Sequence, residues 1–266
     1  MQIHTLRCFG EHADGGNPAL VIEGHSSSAE MRQAYARQHH VTCAWLDPSA
    51  EPGVAAAVDY FYPHARSPLC LHATLAVGQQ LFLRHGREQE LVVMTAMRGQ
   101  PLGLVAGDNG DVFVRLQAQD APRPDLSAGL VRHLLAAPEL APLAPACVVS
   151  VGSPKLLVEV ADAATLYGLQ PDLPAIAAWG RDAGVNGLYV YFRAADGTYE
   201  GRNFNHLDPA LEDSATGVAA GALTTLLGHA ITLRQGRAVG SANLIRTRVD
   251  GADIRVGGRV IGQPAR

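Results

Sequence analysis

The sequence predicts an α+β fold of two pseudo-symmetric halves, each a curved β-sheet wrapped around a central apolar helix. Three observations predict it. The stretches His72 to His85 and Ala215 to Ala230 are helical in pattern yet apolar on nearly every side, and such a helix is enclosed rather than laid on a surface. Alternating or β-branched runs flank both. Between the two blocks stand the Pro-rich stretches "DAPRPDLSAG" and "APELAPLAP". The division falls near Asp120, giving halves 1–120 and 121–266. The halves agree in plan more than in letters, and duplication is favoured over two unrelated α+β domains.

The elements follow in order. "MQIHTLRCF" alternates and reads as a strand. A turn at Gly15, Gly16 and Asn17 leads to a second strand, Ala19 to Ile22. "SSSAEMRQAYARQHH" has a Ser cap and helical spacing. "VTCAWLDP" and "AVDYFYP" are strands, and the first apolar helix then stops at Gly86. "ELVVMTAMRG" and "DVFVRLQ" are strands, and one short helix sits between the Pro-rich linkers. In the second half "ACVVSVGSPKLLVEV" and "GLYVYFRA" are strands, followed by the second apolar helix. "ANLIRTRVDGADIRVGGRVIG" closes the chain as a hairpin turning at Asp250-Gly251. Small residues at Ala73, Ala76 and Gly78, and at Ala219, Ala220 and Gly221, let strands approach the helices closely.

Composition narrows the function. The 266 residues are 47% hydrophobic and 17% charged, enough to bury a substantial core. A net charge of −4 without a basic cluster argues against nucleic acid. No apolar run reaches the roughly 18 residues of a membrane span. The start lacks the basic and apolar regions of a signal peptide, so a cytoplasmic location is expected. Cys8, Cys43, Cys70 and Cys147 lie far apart and are expected as free thiols. Lys155 is the only lysine, which counts against Schiff-base and pyridoxal chemistry. His39, His40, His64 and His206 are spaced too irregularly for a metal site. No metal site is expected.

Both apolar helices begin alike, with "SPLCLHAT" before the first and "EDSATGVA" before the second. Unpaired amides and the helix dipole make such an end a seat for a carboxylate. A competing reading has Asp213 and Ser214 only capping the second helix. Cys70 and His72 stand two apart at the mouth of the first helix. They are a thiol and an imidazole able to move protons, or a small core hydrophobe and a satisfied cap.

The pieces "GGNPALVIE", "YFYPHARSPLCLHATLAVG", "VGSPKLLVEV", "RNFNHLDPALEDSATGVAAGAL" and the "VGG" hairpin resemble PhzF-like proteins, in the family's order and over nearly the whole chain. The resemblance implies a diaminopimelate-epimerase-like fold with the active site between the halves, and commonly a homodimer. It implies proton transfer beside an activated carbon of a small carboxylic acid, without metal or organic cofactor. By position it puts His72 and Asp213 on the substrate, with Ala73 inside the same HAT motif and Asn17 close by. Gly217 and its neighbours would grip a carboxylate. Cys70 falls where two-thiol epimerases keep their first cysteine, and Thr216 where they keep the second. Three positions depart from the family: Thr42 stands for its glutamate, Leu71 for a glycine and Val218 for a serine. The expectation is an isomerase-type enzyme with altered catalytic residues, its proton transfer serving isomerisation, cyclisation or elimination, with Cys70 or His72 carrying the proton and Asp213 orienting. His40 would replace the glutamate if a regular strand put it on Thr42's face; the competing reading ends the preceding helix at His39 and His40. The other functional class is a binding protein that keeps the fold and has lost the reaction.

Overall fold

The computed structural model describes residues 1–12, 15–24, 26–204 and 212–262. They form two compact units, Met1–Leu116 with Gly257–Arg266, and Gln117–Val256.

In the first unit β1 (Gln2–Cys8) pairs antiparallel with β2 (Asn17–Glu23). Helix α1 (Ala29–His39) returns the chain to β3 (Thr42–Asp47), parallel to β2. Strand β4 (Val54–Phe61) runs antiparallel to β3 and carries the two-residue β5 (Arg66–Ser67). Helix α2 (Leu71–His85) leads to β6 (Leu91–Thr95), parallel to β4, and β7 (Pro101–Ala106) and β8 (Asp111–Gln117) follow antiparallel. The chain's last strand lies next to β8 and pairs through Val260, Ile261 and Gly262 with β1, closing a ring. Helix α2 packs against β1, β2, β3 and β7. Its small residues permit this, since a Cβ on Gly78 would stand 2.8 Å from Val112 Cγ1.

The second unit holds α3 (Ala128–Leu134), β9 (Cys147–Val149), β10 (Lys155–Glu159), α4 (Ala163–Gly168) and α5 (Leu173–Ala183). They are followed by β11 (Leu188–Arg193), β12 (Tyr199–Phe204), β13 (Glu212–Asp213), α6 (Gly217–Leu227), β14 (Thr232–Gln235), β15 (Asn243–Asp250) and β16 (Asp253–Gly262). The pairings repeat those of the first unit. β9–β10 is antiparallel and β10–β11 parallel; β11–β12 and β12–β13 are antiparallel; β12–β14 is parallel and β14–β15 antiparallel. Helix α6 packs on β9, β10 and β15, and a Cβ on Gly221 would meet Val151 Cγ2 at 2.8 Å and Val256 Cγ2 at 3.1 Å. The duplication is therefore a matter of strand order as well as plan.

Register makes the equivalence exact to the residue. Tyr60 of β4 stands opposite Ala44 and Ser67; Asn203 of β12 stands opposite Tyr189 and Asp213. Three residues after Ser67 comes Cys70, the N-cap of α2, and three after Asp213 comes Thr216, the N-cap of α6. Counting outward, Asp59 matches Arg202 and Arg66 matches Glu212. Both are ion pairs, with opposite polarity: Arg66 Nε bonds Asp59 Oδ1 at 2.8 Å, and Arg202 Nη2 bonds Glu212 Oε2 at 2.8 Å.

Some boundaries differ from the sequence reading. Helix α6 starts at Gly217 and stops at Leu227, because Gly228 turns left-handed and ends it. Residues 257–262, placed with the second half on sequence, pair within the first unit. Helices α4 and α5 and strands β7, β12 and β14 add to the elements that the sequence pattern predicts. His40 has φ 51 and ψ 36 as the C-cap of α1, so no strand runs through it. The alternation that put His40 on Thr42's face fails, and the helix-end reading describes His39 and His40.

Candidate functional site

The N-termini of α2 and α6 differ from the other helix starts. Ser28, Ser127, Asp162 and Asp172 each cap their helix with a side-chain oxygen. Cys70 and Thr216 make no side-chain cap bond, so the first-turn amides of the two central helices keep their capacity for an outside acceptor.

At the first of these ends, buried Cys70 places Sγ 3.4 Å from His72 Nδ1 and 3.9 Å from Nε2. The Thr74 hydroxyl donates to Cys70 O at 2.8 Å and contacts Tyr60 OH at 2.7 Å, which fixes the turn from β4. Tyr62 lies between two imidazoles: it stacks on His64 at 5.5 Å and tilts against His72 at 6.4 Å. Asp59 holds Arg66 in β5 and also meets Arg32 of α1, whose guanidinium is bidentate on Asp47. That network, centred on buried Asp59 and Arg32, fixes the strand leading to Cys70. Burial pushes the Cys8 thiol up and the Cys43 thiol to about 12, so these two stay protonated and are poor proton carriers.

Thr42 and Asn17 belong to the same side of the first unit. Cys43, Trp45 and Leu20 pack on the α1 side with Ala36. By alternation Thr42, Ala44 and Ala19 face the other way, the side of Tyr60 and α2. Asn17 shares that face two residues before Ala19. Thr42 thus stands on the helix-facing side and brings no titratable group to it. Leu71 and Ala73 are buried in the first turn of α2.

At the second end Asp213 accepts the Thr216 hydroxyl at 2.7 Å and Ala215 N–H at 3.4 Å. It braces the turn before α6 and does not cap the helix. Gln235 completes the knot: its Nε2 donates to Asp213 O and Thr216 Oγ1, and its Oε1 accepts Thr216 N–H and Tyr189 OH. Gly217 and half-buried Val218 form the first turn. Lys155, buried to 1% exposure, donates from Nζ to Asn186 O. Desolvation lowers its pKa to about 8, with the nearby Asp213 charge opposing.

The structure thus groups Cys70 with His72, and Asp213 with Thr216, Gly217 and Val218, and sets His40 apart at a helix end. His206 lies outside the described residues. Among the described residues no cluster of His, Cys, Asp or Glu is arranged for a metal ion, and no helix is long and apolar enough to cross a membrane. Tyr60, Tyr189, Asn203 and Gln235 escaped the sequence reading. Their places come from strand register, and no motif in the letters marks them.

A family model described as phenazine biosynthesis-like protein (PhzC-PhzF) matches residues 6–261. An uncharacterized isomerase of Salmonella typhimurium, YddE, is 26% identical over 268 residues, covering 93% of this chain and 90% of the relative. The solved structure of a predicted epimerase from Pseudomonas aeruginosa is similar with a TM-score of 0.80 at 26% identity, over 98% of this chain and 96% of that one. A Bacillus anthracis phenazine biosynthesis protein of the PhzF family gives 0.79 at 18% identity, over 99% and 98%.

Proposed function

The chain belongs to the phenazine biosynthesis-like family, and we propose that it is an isomerase moving a proton on a small carboxylic-acid metabolite with its own side chains. The observation that carries this reading is the buried Cys70–His72 contact at the start of α2. A sulfur and an imidazole nitrogen at that distance can pass one proton between them. One of the pair removes a proton beside the substrate's carboxylate, and the electron pair of the broken C–H bond stays on the substrate as a delocalised carbanion. The same pair returns the proton, so nothing is oxidised or reduced. Within the second unit the first-turn amides of Gly217 and Val218 are suited to a carboxylate's charge, and Asp213 braces the turn that presents them.

The reaction type proposed is a one-faced proton shift. Inversion of a carbon needs an acid and a base on opposite faces. Thr216, where two-thiol relatives keep their second cysteine, has its hydroxyl committed to Asp213. A single proton carrier favours a shift of the proton along one face over racemisation.

The test is hydrogen exchange. A panel of small saturated and β,γ-unsaturated carboxylic acids is incubated with the protein in D2O and followed by NMR. Protein-dependent loss of a substrate C–H signal is expected. Cys70→Ser and His72→Ala should each slow it roughly 100-fold or more. Undiminished exchange in both variants would remove Cys70 and His72 from the mechanism.

A further inference from the structure

Asn203 is wholly buried, and neither its amide nitrogen nor its amide oxygen has a hydrogen-bond partner among the described residues. The internal equivalence explains how this arises. In the first unit the matching residue is Tyr60, whose hydroxyl meets Thr74, four residues after the N-cap of α2. Four residues after the N-cap of α6 stands Ala220, which has nothing to offer an amide. A buried donor and acceptor left open together cost several kcal/mol, on the order of 1–3 each, and such a group calls for an occupant.

Lys155 is the second anomaly, and it lies on the same face. Tyr189 is opposite Asn203, Asn203 is opposite Asp213, and Leu157, two residues along from Lys155, is level with Tyr189. Opposed residues of neighbouring strands share a face, so Lys155, Tyr189, Asn203 and Asp213 all point to one side of the sheet. The alternate residues Leu156, Leu188 and Phe204 form the core on the other side. The described hydrogen bond of Lys155 goes to a carbonyl, Asn186 O, and among the described residues no carboxylate forms an ion pair with it. Buried ammonium groups ordinarily have an anion to face. Asp213, whose charge acts on it, is occupied by Ala215 and Thr216.

We propose that Lys155 and Asn203 form a seat for an α-hydroxy carboxylic acid, with Lys155 as counter-charge to the carboxylate and the Asn203 amide bonding both carboxylate and hydroxyl. An α-hydroxy carboxylate presents an acceptor and a donor side by side, the complement of the amide's Nδ2–H and Oδ1. An α-amino acid would bring a second cation toward Lys155. The proposal names the substrate class for the isomerase reading and rests on it, and Lys155 and Asn203 become specificity-determining residues.

Four probes share one carbon skeleton and differ only in the groups at issue: lactate, alanine, propionate and lactamide. Because Lys155 is the only lysine, protein carrying lysine labelled with 13C at Cε alone gives one side-chain NMR signal to follow. Millimolar lactate should shift that signal. Ligand-observed NMR should show propionate and alanine binding at least ~10-fold more weakly and lactamide not at all. Lys155→Met and Asn203→Leu should each weaken lactate ~10-fold or more. Asn203→Leu should do so without lowering the urea midpoint, since it removes an unpartnered amide. A Lys155 signal unmoved by lactate overturns the proposal, as does alanine binding as well as lactate, or lactate binding undiminished in both variants. Proton exchange on some acid with a silent Lys155 would leave the isomerase standing and remove this seat. A responsive Lys155 with no acid exchanging would do the reverse.

Discussion

An ammonium held at 1% exposure on a single described hydrogen bond is a cost that folding must absorb. Burial lowers Lys155 from 10.5 to about 8, which corresponds to about 3 kcal/mol against the charged native form. The unfolded chain keeps the ordinary lysine value. Between pH 8 and 10.5 it therefore binds more protons than the native state, and stability from this residue rises with pH across that window. Below about 8 the full penalty applies. Lys155→Met should accordingly be more stable than the parent at pH 7 by about 2 kcal/mol, once the lost bond to Asn186 is allowed for. The advantage should shrink toward pH 10.5. Urea unfolding of both proteins at pH 7 and pH 10 checks this, with the difference between variants cancelling the titration of tyrosines and thiols. A gap that stays constant with pH would show that Lys155 is not titrating in the native state.

At the level of elements, the two central helices were legible because their whole circumference is apolar and because Gly78 and Gly221 mark where strands press on them. Helix α5 carries local signals at both ends: Asp172 as cap, Pro174 in the first turn and Gly184 left-handed at the end. The site was legible only where it keeps to short-range spacing, as in Cys70-x-His72 and Asp213-x-x-Thr216. Asn203 and Lys155 gain their meaning from partners one to three strands away, which letters in a row do not show. The equivalence of Asp59–Arg66 with Arg202–Glu212 was hidden as well, because an ion pair keeps its geometry when its charges exchange places. The glycines yield a contrast at this scale. Gly129 in α3 is exposed, and a Cβ there meets only Ser127 Oγ at 3.7 Å. Gly129→Ala should gain roughly 0.5–1 kcal/mol of helix propensity. Gly221→Ala gains the same propensity but forces Val151 and Val256 apart, at about 1–3 kcal/mol, and should be net destabilising. Urea midpoints moving in opposite directions for the two variants are the expected result; a stabilised Gly221→Ala would mean that the valines have room to turn.

At the scale of the whole molecule, β16 serves both units with one continuous strand. Residues up to Val256 belong to the second unit and the residues from Gly257 to the first. The handover is tight, since a Cβ on Gly257 would stand 2.1 Å from Val112 O. Beyond it Val260, Ile261 and Gly262 pair with Cys8, Arg7 and Leu6, and Phe9 N–H donates to Arg259 O at 2.9 Å. A chain ending at Val256 would leave β1 and β8 as open edges and uncover Cys8 and Phe9, both fully buried. The loss should fall on the first unit, although the deleted residues come last in the sequence. The two tryptophans separate the outcomes, because Trp45 is in β3 of the first unit and Trp179 in α5 of the second. In single-tryptophan proteins made by Trp45→Phe or Trp179→Phe, ending the chain at Val256 should lower the urea midpoint reported by Trp45 far more than that reported by Trp179. Two midpoints falling equally would mean that the units unfold as one body whatever closes the first, and an unmoved Trp45 midpoint would mean that the ring does not depend on its last strand.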